Sequence, residues 1–491
     1  MRELLRATFK TGTGSIISLI LGVISNKVMA VITGPIGIGL YSMLQQIQTT
    51  ASTAGSIGGG GTSLTQGVAS KRAEARDEFI RTVFWLFAIG SLLVTISLII
   101  LAPWIASASL GKSDDESIGL VRWVALPVVL NIFLMYLNGV LNGFREIGRL
   151  AVLQVVGAAV NAILSYPISI MVHTGYPIAF IGIMSASVSV QLVFAFAKIH
   201  AHGYMRPLWS RGFRANIEKA SASSFFKMAG TLLITGVFGT IVLLIIRSLI
   251  VQYNGLADAG IFNVAWVICV MYPTVALTSL GTYFFPTLSQ LEDPQKRINL
   301  MKDVFRLTNL IITPMLVALI VLKPLVIDIL YSGQFYASLD ILRWMLIGVY
   351  LSAASWVVAM PVLSFPNMRV YFWVTNLWYV GLLIFSVIAI MLLKSMEFIG
   401  LGFTILYALH LAFYIHFVHV RHGFSLTKRL KTSWFLGLFL VIVASGSTWT
   451  DTQVNWLIVI FWSMVTALFI LSSFSRVERR QLLQIIAHSN R

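Results

Sequence analysis

From Thr82 to Leu110 the chain carries no Asp, Glu, Lys or Arg, and the same holds from Leu150 to Val172. An apolar run of this length has few possible fates. Roughly 20 such residues in a helix cross the hydrocarbon of a bilayer, where every backbone N–H and C=O must be bonded within the protein. Similar runs recur from end to end. About fourteen spans satisfy that length, beginning with 12–33, 37–66 and 82–105 and ending with 433–448 and 455–474. Apolar residues make up 57% of the chain and charged residues 11%, against about 25% charge in a soluble domain. The fold expected is therefore all-α, a polytopic membrane protein whose core lies between helices.

The charges that remain sort by loop. With the N-terminus placed inside, the inner segments are 1–10, 71–81, 143–149, 198–219, 290–306, 366–369, 421–431 and 475–491. They hold 27 of the 35 Lys and Arg residues. The outer loops, such as GKSDDES at 111–117, lean acidic. Lysine and arginine collect in cytoplasmic loops, so both termini are expected in the cytoplasm. The first span is read as retained, because Lys27 interrupts the run too close to any cleavage site. The same rule accounts for the net charge of +17, which in a soluble protein would suggest nucleic acid. One cysteine excludes an internal disulfide and a cysteine-rich metal cluster.

The two halves repeat. Lys27 precedes GIGLYSMLQQI (37–47) and Arg247 precedes AGIFNVAWVI (259–268). TSLTQ (62–66) answers PTLSQ (286–290), and LVRW (120–123) answers ILRW (341–344) at nearly the same offset. Several matches at one offset are a repeat. With six spans per unit, both units share one orientation, and a substrate site is expected between the lobes. The expected organisation is two pseudo-symmetric six-helix bundles, 1–198 and 222–420, joined by a basic linker at 199–221. Residues 421–491 add two transmembrane helices and a basic cytoplasmic tail.

Four cations stand inside spans: Lys27, Arg122, Arg247 and Arg343. An arginine or lysine at a helix centre costs about 2.5–3.5 kcal/mol on insertion scales, so such a residue normally faces a cavity or a partner. They are expected to have no acidic partner nearby in sequence, so an anionic ligand would supply the compensating charge. The competing reading is that they reach to the outer headgroups; for Arg122 and Arg343, each followed by a tryptophan, both readings stand. The span LQQIQTTASTAGSIGGGGTSLTQ (44–66) is unusually polar. Gln45, Gln46 and Gln48 either line a wet cavity or bond neighbouring helices. Gly58–Gly61 lack the Lys-Ser/Thr of a phosphate loop and suit close packing or bending. His410, His416, His419 and His422 do not share one face, so no metal site is expected. No nucleophile constellation or carboxylate pair supports an enzyme or a cofactor.

GPIGIGLYSM (34–43) after a first-span lysine, GLVRWVAL (119–126) and NGFREIGRL (142–150) resemble the Wzx-type polysaccharide flippases. That family shares a superfamily with the multidrug and toxin extrusion transporters. The resemblance covers about residues 5–420. It implies two six-helix bundles working by alternating access in a bacterial inner membrane. The implied cargo is an undecaprenyl-pyrophosphate-linked oligosaccharide, an O-antigen repeat unit or lipid III, carried from the inner to the outer leaflet. Lys27, Arg122, Arg145 and Arg247 fall on positions where the family has matching cations; Arg343 has no such counterpart. Membrane lipid, a polysaccharide polymerase and a chain-length regulator are the partners it implies. The alternative, a cation-coupled multidrug exporter of the same superfamily, would call for a buried carboxylate.

Overall fold

The computed structural model describes residues 2–57, 60–201, 204, 217–271, 293–364, 368–449 and 452–473, with single positions between 272 and 292. Most of the 199–221 linker and the tail beyond 473 lie outside the described residues. Every regular element described is helical. Twelve helices are long and apolar enough to cross a membrane.

The difference from fourteen has two sources. The first two expected spans run on as one helix, α1 (Arg2–Gly55), broken at Gly34, which has φ 62° and stands before Pro35. A left-handed residue and a ring without an N–H together interrupt the helical ladder. The expected span 257–288 is described as a short helix (Leu256–Trp266), a π turn (Val267–Met271) and isolated positions.

By contacts the chain divides into two compact units, Met1–Asn263 with Leu330–Ser332, and Val264–Ile329 with Gly333–Arg491. The division falls at Asn263, beyond the linker at 199–221. The first unit contains α1, α2 (Gly60–Ser70), α3 (Ala73–Ile100), α4 (Ala102–Leu110), α5 (Asp115–Trp123), α6 (Ala125–Gly143), α7 (Ile147–His173), α8 (Ala179–Ala201) and α9 (Lys219–Asn254). Helix α10 (Leu256–Trp266) follows across the division. Helix α1 packs along α7, and α9 packs against α1, α3 and α4. That packing is why α9 belongs to the first unit although the repeat begins a second half before it.

The second unit contains α11 (Pro294–Val321), α12 (Lys323–Leu330), α13 (Ser338–Ser364), α14 (Met368–Val387), α15 (Glu397–His422), α16 (Lys428–Ser447) and α17 (Trp456–Ser473). Helix α13 packs along α15, α14 lies on α15, and α11 receives both α16 and α17. The last two helices are bonded in by polar groups. Lys323 is fully buried and donates to the Thr448 carbonyl at the C-terminal end of α16, where a helix end carries partial negative charge. The Tyr350 hydroxyl donates to the Trp434 carbonyl of the same helix at 2.7 Å.

The outward faces are apolar. Leu392 is 74% exposed, Leu457 79% and Ile163 73%. In water such a surface would drive association; against hydrocarbon it is the expected one.

Candidate functional site

The four intramembrane cations occupy different surroundings. Arg247, on α9, is 5% exposed, and its Nε and Nη1 have no hydrogen-bond partner among the described residues. Its guanidinium lies 5.8 Å from the centre of the Phe262 ring. A buried cation resting on a ring face with two idle donors is costly to keep. Lys27, half-buried on α1, donates to the main-chain oxygen of Tyr331 at 2.5 Å. Both cations are followed, within about two helical turns, by a glycine of positive φ: Gly34 at 62° and Gly255 at 95°.

Arg122 is exposed on α5, beside Trp123, which is 55% exposed. That is the surface placement a side chain reaching for headgroups would have. Arg343 corrects the expectation of a charge without an acidic partner. It pairs with Asp340 one turn earlier and lies 3.9 Å from Glu397. Its guanidinium stands 4.7 Å from the Trp449 ring centre, and Glu397 also accepts from the Trp344 indole at 2.9 Å. These contacts tie α13, α15 and the end of α16 together.

The glutamines of α1 divide as well. Gln46 donates to the Thr240 carbonyl of α9 at 3.1 Å, and Gln48 to the Pro127 carbonyl of α6 at 3.2 Å. Of the two readings open for them, the structure places these amides in helix contacts. Gln45 is exposed. Arg145 occupies the turn between α6 and α7 with φ 62°. Around it Phe144 stacks on Tyr204 with ring centres 4.0 Å apart, and Arg76 lies 4.8 Å from the Phe144 centre. The Tyr204 hydroxyl donates to Glu146, and burial together with that carboxylate raises its pKa.

One site was not anticipated. Within the second unit a cavity of about 700 Å³ opens between α13, α14, α15 and the π turn after α10. Helix α14 supplies Tyr371, Thr375, Trp378 and Tyr379, and α15 supplies Phe403, Tyr407, His410 and Tyr414. Each set recurs at helical spacing, so each is a stripe down one face. Trp378 and Tyr407 rings are 4.9 Å apart, and Phe403 and Tyr407 rings 4.7 Å. Ser355 and His410 Nδ1 share a hydrogen bond of 2.7 Å. The Trp378 indole N–H is buried and has no acceptor among the described residues. Among the described residues no carboxylate lines the cavity, and no group of three or more His, Cys, Asp or Glu is placed to hold a metal ion. Each stripe is visible in the sequence, but an aromatic stripe usually means core packing. Only the fold sets the two against each other around a void.

Solved structures share this architecture. The lipid II flippase MurJ in an inward closed conformation matches with a TM-score of 0.70 at 15% identity, covering 96% of this chain and 99% of that one. An inward-facing multidrug resistance MATE family transporter of the MOP superfamily matches at 0.66 and 14% identity, covering 85% and 99%. At such identities the likeness shows the fold alone.

The family follows from sequence. Residues 28–340 match the family described as polysaccharide biosynthesis protein, and the chain belongs to it. The lipid III flippases of Escherichia coli (strain K12) and Shigella flexneri are each 25% identical over 383 residues, covering 75% of this chain and 87% of theirs. The kinship is thus with flippases and transporters rather than with enzymes.

Proposed function

We propose that this protein is a flippase for an oligosaccharide carried on undecaprenyl pyrophosphate, moving it from the inner to the outer leaflet of a bacterial inner membrane. The observation that carries the reading is Arg247, a buried guanidinium with two unused donors in a chain of the polysaccharide biosynthesis family. A diphosphate is expensive to bring into hydrocarbon, and so is an unpaired arginine. Each relieves the other, through charge-assisted hydrogen bonds stronger than neutral ones. Lys27 is proposed as the second cation. Its ammonium now bonds a main-chain oxygen, a partner that a phosphate would outcompete by charge. Arg122 would attract the diphosphate at the outer surface, and Arg343 serves mainly to brace its own unit. Gln45, exposed on α1, is left to contact sugar. The polymerase and chain-length regulator would act on the product outside.

A drug exporter needs a buried acid for its cationic cargo or coupling ion. No Asp or Glu among the described residues is buried.

The test is complementation of a strain lacking its own polysaccharide flippase, supplied with the glycosyltransferases of the source strain. Wild-type protein should restore surface polymer. Lys27→Ala and Arg247→Gln should not, at equal membrane levels, while Lys27→Arg retains part of the activity. Full activity in both neutral variants would overturn the diphosphate assignment.

A further inference from the structure

We propose that the aromatic cavity of the second unit is a glycan subsite, seating a sugar ring of the transported saccharide; this rests on the flippase reading above. Its volume of about 700 Å³ lies within the about 300–1,000 Å³ typical of small-molecule sites.

Three kinds of ligand suit an aromatic cage in a membrane protein, and the polar atoms choose among them. An isoprenoid chain would fill the void and contact the rings. It would leave the Tyr379, Tyr407 and Tyr414 hydroxyls facing hydrocarbon without partners. Each buried polar group left unmade costs about 1–3 kcal/mol. An organic cation would gain from the ring faces, but it cannot accept a hydrogen bond from a tyrosine hydroxyl, and the cavity offers it no carboxylate among the described residues.

A pyranose has what both others lack. Its C–H faces are apolar enough to lie on Trp378 and Tyr407, and its hydroxyl edge both donates and accepts. The polar groups are spaced to meet that edge. Trp378 offers a ring face, and Tyr379, Tyr407 and Tyr414 contribute hydroxyls that make no hydrogen bond among the described residues. Ser355 and His410 contribute a bonded pair beside Tyr407 and Tyr414, from α13 and α15. Few rotatable bonds separate these groups from the backbone, so little entropy is lost on binding.

The experiment uses purified full-length protein in lipid nanodiscs and follows tryptophan fluorescence. The probe is the free saccharide released by mild acid from the lipid-linked precursor of the source strain, carrying neither phosphate nor prenyl chain. Undecaprenyl monophosphate and tetramethylammonium are run as comparison ligands. A saturable change with the saccharide is expected, weakened at least tenfold by Trp378→Ala, which removes the stacking face. Tyr407→Phe, which removes only a hydroxyl, should weaken it less. It also serves as the readout if the tryptophan variant does not fold. A response to undecaprenyl monophosphate or tetramethylammonium and none to the saccharide overturns the proposal, as does unchanged saccharide affinity in the folded variants. Complementation separates this from the flippase reading. Wild-type protein that restores polymer yet binds no saccharide defeats the subsite alone. Protein that binds saccharide but restores no polymer defeats the flippase reading alone.

Discussion

Arg247 and Arg343 both stand inside spans, yet the first has no acidic partner among the described residues while the second is paired with carboxylates. Removing an unpaired buried charge relieves desolvation, whereas breaking a paired one leaves its partner stranded. Arg247→Met should therefore raise the thermal midpoint of the purified protein while abolishing transport. Arg343→Gln should lower the midpoint, because Asp340 and Glu397 lose their cation. Arg122→Gln, on an exposed side chain, should leave it unchanged. Differential scanning fluorimetry in detergent reads all three; a lowered midpoint for Arg247→Met would show that the residue is structural. Arg145 offers a further test. Its left-handed backbone costs about 1–2 kcal/mol for a residue with a Cβ, so Arg145→Gly should stabilise the fold, and any loss of transport then measures the guanidinium itself. Half of the Arg343 pairing is legible in sequence, since Asp340 stands one helical turn before it. Glu397 belongs to another helix, and nothing in the local pattern points to it.

Among the helices, the motif GPIGIGLYSM has a mechanical meaning. Gly34 breaks α1, and Gly39 allows α1 to cross the next repeat's short helix at contact distance. A Cβ at Gly39 would lie 1.8 Å from the Leu256 carbonyl oxygen, and one at Gly260 would lie 2.2 Å from the Pro35 oxygen. Backbone on the far side cannot step aside as a side chain would. Overpacking costs about 1–3 kcal/mol even where neighbours can adjust, so Gly39→Ala should sharply reduce the monodisperse yield and the thermal midpoint. A normal midpoint would disprove the close crossing. The apolar spans were readable because hydrocarbon imposes length and composition together. The break at Gly34 and the short helix after Gly255 were not, because one positive φ is too small a departure to alter an apolar pattern. The aromatic stripes of α14 and α15 were readable singly; their facing each other depends on how α14 packs on α15. The last two helices stood outside the repeat, yet Lys323 and Tyr350 spend their polar groups on α16. Deleting 421–491 should therefore leave no folded second unit by size-exclusion chromatography.

For the molecule as a whole, orientation is the property that converts structure into direction of transport. The charge bias of the loops predicts that a cysteine at Ser113 is labelled from outside intact cells by an impermeant thiol reagent. One at Ser425 should react only after the membrane is opened. Both positions are exposed; the reverse pattern would invert the proposed direction. The experiment needs Cys269→Ala as its background, and that requirement points to a use for the native residue. Cys269 is the only cysteine in the chain, is buried and forms part of the cavity wall. The unmodified protein thus carries a built-in clock. The rate at which a small neutral alkylating agent consumes that thiol, followed by intact mass, records how often the chamber admits a visitor, and a resident ligand should slow it.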